Sequence, residues 1–200
     1  MGNKSADIFG TILKNDEKVI WTGKPEIRKM FSFYDRFLIP ISIILAALLF
    51  LYEFMAISNL FYSLEKYDRI VFNYLMMFCI GSLFTIFGVY FLIGRFIVKM
   101  FIKKNTFYAI TDNRIIIIRN GFHNKVKAKD INQLKSMDLS EIKNGVGTIS
   151  FYKLPPIIKI FNNGVLEIPF VYHYFDIFAF YDINEVEKTC EIVKKLNAKI

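Results

Sequence analysis

The sequence predicts a membrane-spanning pair of α-helices joined to an all-β domain that ends in one helix. Two observations indicate the helical pair: residues 71–94 contain no charged side chain, and residues 37–57 form a second apolar run with a single charge, Glu53. A third indicates the β domain, because short β-branched and aromatic segments follow residue 104 and are separated by turn dipeptides. We therefore divide the chain into an N-terminal segment (1–36), two transmembrane helices with a short external loop (37–102) and a β domain (103–200).

The second apolar run is the stronger indication of a membrane span. As a helix rising ~1.5 Å per residue, it extends roughly 36 Å, which exceeds the ~30 Å hydrocarbon core of a bilayer. A helix in the core of a soluble domain rarely needs so long an uncharged run. Gly81 and Gly88 lie on one side of this helix. We expect that side to meet the first helix, because small residues let membrane helices approach closely.

Glu53 admits two interpretations. A carboxylate inside a membrane span marks a functional contact, whereas one at the headgroup boundary simply reaches water. We favour the headgroup boundary, because Glu53 follows the uncharged stretch Phe37–Tyr52 and so lies towards its far end.

An excess of basic over acidic residues flanks the helical pair on one side only. In the external loop 58–69, Lys66 and Arg69 are balanced by Glu65 and Asp68. Since cytoplasmic flanks carry the excess of lysine and arginine, we predict a two-pass protein of the cell membrane with both termini in the cytoplasm. The flanking basic residues are Lys24, Arg28, Lys29 and Arg36 before the first span, and Arg95, Lys99, Lys103 and Lys104 after the second.

The β domain begins with two strands, Thr106–Thr111 and Arg114–Arg119, joined by the turn Asp112–Asn113. The turn Asn120–Gly121 predicts a third strand through Lys125–Lys129. Further strands are expected at Leu134–Ser140, Gly147–Tyr152 (after an Asn144–Gly145 turn), Ile157–Phe161 and Val165–Phe170. These elements predict a small barrel or bent sandwich that is closed at one end by the C-terminal helix.

The C-terminal helix is predicted from a capping box, with Asn184 as the N-cap and Glu187 three residues later. At the other end of the chain, Glu17–Trp21 predicts a brief strand, and whether this strand joins the C-terminal sheet stays open. A preceding amphipathic turn, with Ile8, Phe9, Ile12 and Leu13 on one side, either lies on the membrane surface or packs on the C-terminal domain, and we expect packing.

Four segments of the sequence, taken together, carry a family resemblance. In chain order they are Glu17–Pro25 (with Trp21-x-Gly23-x-Pro25), Tyr108–Ile117 (Tyr-Ala-Ile-Thr-Asp-Asn-Arg-Ile-Ile-Ile), Gly145–Phe151 (Gly-Val-Gly-Thr-Ile-Ser-Phe) and Phe180–Val186. They resemble, in the same order, segments of a group of small bacterial membrane proteins that have a two-helix hairpin and a bacterial pleckstrin-homology-like (PH-like) domain. The resemblance implies a PH-like fold, with two nearly orthogonal antiparallel sheets capped by a C-terminal helix on the cytoplasmic face. It implies no catalytic residues and no established activity.

Residues for catalysis or metal binding are not grouped in this sequence. His123 and His173 have no carboxylate or cysteine at the spacing of metal ligands. Cys79 and Cys190 do not make a disulfide framework. The net charge of +8 is not accompanied by a nucleic-acid-binding motif. We therefore expect a non-enzymatic protein with no cofactor, no metal and no nucleic-acid partner.

The remaining candidate site is electrostatic. Lys125, Lys127 and Lys129 alternate along one predicted strand and so share a face. This face contacts anionic lipid headgroups or a protein partner in one interpretation, and is merely solvated in the other. The full set of candidate contact residues is Lys103, Lys104, Arg114, Arg119, Lys125, Lys127 and Lys129.

Two hypotheses for function follow. The first is a membrane-anchored PH-like binding or scaffold module at the inner leaflet, whose partners are anionic lipid, another protein or a second copy of the chain. The alternative is an accessory subunit of a membrane transport or secretion complex. In the alternative, Glu53 and the face of Gly81 and Gly88 contact other helices.

Overall fold

The computed structural model describes residues 9–10, 12–14, 16–29, 31, 35–66, 71–120, 124–134, 136–152 and 178–198. The strands predicted at Ile157–Phe161 and Val165–Phe170, and both histidines, lie outside the described residues.

Two long helical segments dominate the N-terminal half. Helix α1 spans Asp35–Glu65, and α2 (Val71–Val89) continues through one π-helical turn, Tyr90–Gly94, into α3 (Arg95–Lys104). Both segments are long and apolar enough to cross a membrane, and only 17% and 11% of their most apolar stretches are buried within the protein. A core helix of a soluble domain would be mostly buried, so these helices suggest a two-pass membrane protein.

Glycines let α1 and α2 pack closely. A Cβ atom added at Gly88 would lie 3.7 Å from the Cα atom of Ala46, and one added at Gly81 would lie 2.2 Å from Oε2 of Glu53. The glycine face of the second span therefore meets the first helix of the same hairpin, which confirms the expectation from the sequence.

Within the described residues, the β domain has two antiparallel sheets. The first has the strand order β1 (Val19–Gly23), β2 (Thr106–Thr111), β3 (Arg114–Arg119) and β4 (Lys125–Asp130), and the second has the order β5 (Asp138–Lys143), β6 (Val146–Ser150) and β7 (Ala179–Ile183). Helix α4 (Val186–Asn197) follows β7. Two long apolar helices, two antiparallel sheets and a C-terminal helix agree with the predicted layout.

Strand β1 belongs to the same sheet as the strands after the hairpin. Gly23 is the register partner of Tyr108 in β2, and the Trp21 ring stacks on Phe180 of β7 with 5.6 Å between centroids. The helical hairpin is therefore an insertion between β1 and β2 of one β domain.

On the outer face of the first sheet, Phe9 is buried against Ile116 in a cluster that includes Ala109, Ile118, Ile12 and Leu13. The N-terminal turn thus packs on the domain as expected.

Three local predictions are wrong. Residues 58–65, predicted as part of the external loop, are helical, because α1 continues to Glu65. The strand predicted at Leu134–Ser140 corresponds to β5, which begins at Asp138. The residues before it form a short 3₁₀ turn, and Ile131 and Leu134 are buried in the core. The C-terminal helix begins at Val186, with Glu185 as the N-cap in a left-handed conformation and no side-chain cap. The amide of Val186 instead donates to the carbonyl oxygen of Gly145 at 3.2 Å, which replaces the predicted capping box.

The turn between β5 and β6 confirms its sequence prediction. Asn144 and Gly145 have φ angles of +53° and +77°. Both angles lie in the left-handed region that asparagine and glycine tolerate best. A two-residue turn that joins antiparallel strands requires positive φ angles at both of its central residues when it is of type I′.

Candidate functional site

An ion cluster joins the helical hairpin to the β domain. Asp182 in β7 is 3% exposed at its side chain, and its two carboxylate oxygens lie 2.7 Å from Nζ of Lys103 and 2.9 Å from Nζ of Lys29. Lys103 also donates to the backbone carbonyl of Glu26 at 3.2 Å. The structure therefore buries Lys103, a predicted contact residue, inside this junction.

Helix α3 directs three of its four basic residues inward. Arg95, Lys99 and Lys103 are buried, and Nη1 of Arg95 lies 3.3 Å from Oδ1 of Asp35 at the start of α1. The opposite side of the helix is apolar, since Ile97 and Phe101 are exposed along with Ile93 of the π-helical turn. The outward face of α3 thus extends the apolar surface of the second span.

Arg114, another predicted contact residue, fixes the N-terminal segment. Its Nε and Nη2 atoms donate to Oε1 and Oε2 of Glu17 at 2.7 and 2.8 Å, and Nη2 also donates to the carbonyl of Ile12. These hydrogen bonds from Arg114 are the main cause that lowers the pKa of Glu17 to about 2. The hydrogen bonds with Glu17 also raise the pKa of Arg114 above its ordinary value.

Lys129 lies at the far end of β4 from the helix junction. Its ammonium group is 3.9 Å from the centroid of the Tyr152 ring, in the geometry of a cation–π contact. Lys129 therefore shares a strand face with Lys125 and Lys127 and contacts a ring from the segment that follows β6.

Lys104 lies in the last turn of α3, and Arg119, Lys125 and Lys127 lie on β3 and β4 at or near the end of the first sheet that adjoins α3. In the strand register, Arg119 of β3 is opposite both Thr106, the first residue of β2, and Lys125, the first residue of β4. The amide of Asn120 donates to the carbonyl of Asn105, the residue that ends α3, at 2.8 Å. We call this group the basic cluster; its members are Lys104, Arg119, Lys125 and Lys127.

Three members of the basic cluster also line a cleft between the two sheets. The cleft has a volume of about 400 Å³, which includes space open to solvent. Its cations come from β3 and β4, and its uncharged lining comes from β2, β3 and β7. We call it the seam cleft; it is lined by Arg119, Lys125, Lys127, Tyr108, Ile117, Ala179 and Tyr181.

The charged side chains among the described residues that line the seam cleft are all cationic. Arginine and lysine supply charged hydrogen-bond donors, and none of the described residues that line the cleft is a carboxylate. The described residues contain no group of three or more histidine, cysteine, aspartate or glutamate side chains that could hold a metal ion. Sequence reasoning found the basic residues of the cleft but missed Tyr108, Ala179 and Tyr181, because β7 approaches β4 only in the folded domain.

Glu53 lies between the helices of the hairpin. Oγ of Ser82 donates to Oε1 of Glu53 at 2.7 Å, and Oε2 of Glu53 is buried. Ser82 is near the middle of the uncharged run 71–94. The carboxylate of Glu53 therefore pairs with a hydroxyl group between the two helices, and its placement at the headgroup boundary stays a prediction.

Comparison of the chain with models of protein families, with curated proteins and with solved structures gives no match.

Proposed function

We propose that the protein is a non-enzymatic, membrane-anchored binding module whose PH-like β domain lies at the cytoplasmic leaflet of the cell membrane and contacts anionic lipid headgroups. The observation that carries this proposal is the position of the basic cluster, at the end of the sheet where α3 enters the domain. Two antiparallel sheets with a C-terminal helix also support a PH-like fold, since this is the layout that the family resemblance implies.

The surface of α3 supports this placement. Ile97 and Phe101 are 57% and 42% exposed, so the helix is most stable with its outer side against lipid. Helix α3 has ten residues and a length of roughly 15 Å. Lys104 is exposed in its last turn, where an apolar helix surface meets polar headgroups. Arg119 and Lys125 lie beside that turn and so reach the same depth.

The charge of the cluster suits an anionic leaflet. Basic residues near such a surface are attracted by about 1 kcal/mol each, and this attraction falls off within a Debye length. The orientation with both termini in the cytoplasm places the cluster on the leaflet that carries anionic lipid. The hairpin holds the domain at this surface, so weak individual contacts suffice for permanent association.

Native mass spectrometry of the intact chain in mild detergent tests the proposal. The protein is mixed with phosphatidylglycerol and phosphatidylcholine, and we expect retained phosphatidylglycerol to be preferred. The triple variant Lys104→Gln, Arg119→Gln, Lys125→Gln should lose this preference. The matched control Lys143→Gln, Lys194→Gln, Lys195→Gln removes the same charge from exposed residues outside the cluster and should keep it. Equal retention of phosphatidylglycerol in both variants would contradict the proposal.

The alternative of an accessory subunit in a transport or secretion complex stays a hypothesis. It relied on Gly81, Gly88 and Glu53 as contacts for other helices, but these residues meet α1 or α2 within the hairpin. A stoichiometric protein that co-purifies with the chain in mild detergent, without bound anionic lipid, would favour this alternative.

A further inference from the structure

We propose that Glu53, Ser82 and Thr85 form a binding site for one alkali cation between the two helices of the hairpin. This inference is independent of the proposed function, because it concerns the membrane helices and not the basic cluster of the β domain. It departs from the sequence-based expectation of no metal. That expectation concerned sites with histidine, cysteine or several carboxylates, whereas the charge of an alkali cation is balanced by a single carboxylate.

The carboxylate of Glu53 is only half satisfied. Oγ of Ser82 donates to its Oε1 atom at 2.7 Å, but its Oε2 atom is closed to solvent and accepts no hydrogen bond from any described residue. Glu53 also forms no ion pair within the described part of the chain. A buried carboxylate without a cationic partner is costly, and a bound cation of single charge offsets that cost.

Thr85 supplies a second buried oxygen. Its Oγ1 atom is closed to solvent and has no hydrogen-bond partner among the residues that the structure describes. Ser42 and Ser58, also in the hairpin, each donate to the carbonyl four residues earlier, at 2.6 and 2.9 Å. Hydroxyl side chains inside helices commonly make this bond. Because Thr85 does not make it, both lone pairs and the hydrogen of its hydroxyl are left for a partner from outside its own helix.

Gly81 brings the two unsatisfied oxygens to one side of α2. A Cβ atom added there would lie 2.2 Å from Oε2 of Glu53, so the carboxylate occupies the space that a side chain would fill. Thr85 lies one turn further on the same face, and helical side chains lean towards the N-terminus. Since Cβ positions four residues apart are separated by ~5–6 Å, the two oxygens face each other across a gap of about that width.

The width of the gap and the type of ligand atom suit an alkali cation. Sodium has nearly the radius of Ca²⁺, whose oxygen ligands lie at ~2.3–2.6 Å, so one ion reaches both sides of the gap. A divalent ion prefers several carboxylates, and the described residues contain no group of three acidic, histidine or cysteine side chains. The hydroxyl oxygen of Ser82 accepts through its lone pairs while its hydrogen stays on Glu53, so it serves as a third ligand.

Binding of radioactive sodium to the intact chain in neutral detergent tests the site. Scintillation proximity measures binding at constant ionic strength, with choline as the replacement cation. We expect saturable binding of one ion per chain, and competition by unlabelled sodium. Glu53→Gln removes the charge from the site and should abolish binding. The matched control Glu65→Gln removes the same charge from an exposed position of the same helix and should keep the wild-type affinity.

Thr85→Val separates a ligand from a structural residue, and keeps the inference testable if Glu53→Gln impairs folding. Valine has the shape of threonine without the hydroxyl, and that hydroxyl has no described hydrogen-bond partner to lose. We therefore expect an unchanged or raised melting temperature in choline, together with sodium binding that is weakened about tenfold. Thr85→Ser retains the hydroxyl and should retain most of the affinity.

Several results would overturn the site: no saturable sodium binding by the wild-type chain, equal binding by Glu53→Gln and Glu65→Gln, or wild-type affinity in Thr85→Val. A proton is the competing occupant, and labelling with dicyclohexylcarbodiimide, which reacts with protonated carboxyl groups, distinguishes it. We expect sodium to protect Glu53 from this reagent, as measured by peptide mass spectrometry. Labelling that sodium does not reduce would show that a proton neutralises the carboxylate, and would overturn the cation site.

Discussion

Lys103, in the last turn of α3, forms a buried ion pair of 2.7 Å with Asp182, in the last strand of the β domain. Lys29, from the segment that follows β1, reaches the other oxygen of the same carboxylate. The amide of Glu26 completes the junction by donating to the carbonyl of Asp182 at 2.6 Å. Three segments that are distant in sequence therefore meet at one side chain, which ties the position of the β domain to the second membrane helix.

Replacing Asp182 by alanine should destabilise the protein strongly. The change leaves Lys103 and Lys29 largely buried without their shared acceptor, and such a loss typically costs about 3–5 kcal/mol. Thermal unfolding of the intact chain in detergent, followed by Trp21 emission, measures the effect. Lys188→Ala is the control, because the Lys188–Glu185 pair is 74% and 65% exposed and should contribute less than about 1 kcal/mol. Equal melting of the two variants would contradict a structural role for Asp182.

The pair of Glu17 and Arg114 should make stability depend on pH in acid. The folded pKa of Glu17 is about 2 and its ordinary value is 4.5. The stabilisation is therefore fully present above pH 4.5 and is lost as the pH falls towards 2. Glu17→Gln should lower the free energy of unfolding at pH 7 by on the order of 2–3 kcal/mol, which follows from the lowered pKa. Solvent screens the pair little, because the side chain of Glu17 is buried.

Denaturant unfolding of wild type and Glu17→Gln at several pH values checks this prediction. The difference between the two proteins should shrink steadily between pH 4.5 and pH 2. Glu187→Gln, which changes an exposed carboxylate in α4, serves as the control. A difference that stays constant over that pH range would show that the ion pair does not account for the loss.

A chain of residues 103–200 alone should fail to fold stably. It lacks β1, which pairs with β2 along four register positions, and it lacks Trp21, whose ring stacks on Phe180. Removal of the strand exposes apolar core surface and leaves the edge of β2 unpaired. A chain in which residues 9–29 are joined to 103–200 by a flexible linker should recover cooperative unfolding in circular dichroism. Cooperative unfolding of both chains at the same temperature would refute the structural role of β1.

Gly81→Ala should loosen the hairpin more than Gly88→Ala. The added Cβ atom at Gly81 would overlap Oε2 of Glu53 at 2.2 Å and the Tyr52 ring at 2.7 Å, whereas that at Gly88 meets Leu49 at 3.0 Å. Overpacking of this kind costs roughly 1–3 kcal/mol. Melting temperatures in detergent give the ranking, with Gly10→Ala as the control because its added Cβ meets nothing within 4 Å. The reverse order for Gly81 and Gly88 would contradict the close approach at Glu53.

Local pattern in the sequence accounts for most of the secondary structure in the described residues. The bounds of β2 and β3 agree with those predicted, because β-branched and aromatic residues end at the polar turn Asp112–Asn113. The turn at Asn144–Gly145 likewise follows from the conformations that these two residues adopt. The start of the C-terminal helix does not follow from the local capping pattern, because the amide of Val186 donates to the carbonyl of Gly145, which is distant in sequence, and no side chain caps the helix.

The sequence by itself determined two apolar helices, a β-rich domain and an excess of basic residues near their junction, since these depend on composition and periodicity along the chain. Only the tertiary structure decided what each cation does. Lys103 and Arg114 pair with Asp182 and Glu17, whereas Arg119, Lys125 and Lys127 line the seam cleft. The physical reason is that a charge takes its partner from the segments that fold against it, and those segments are distant in the chain.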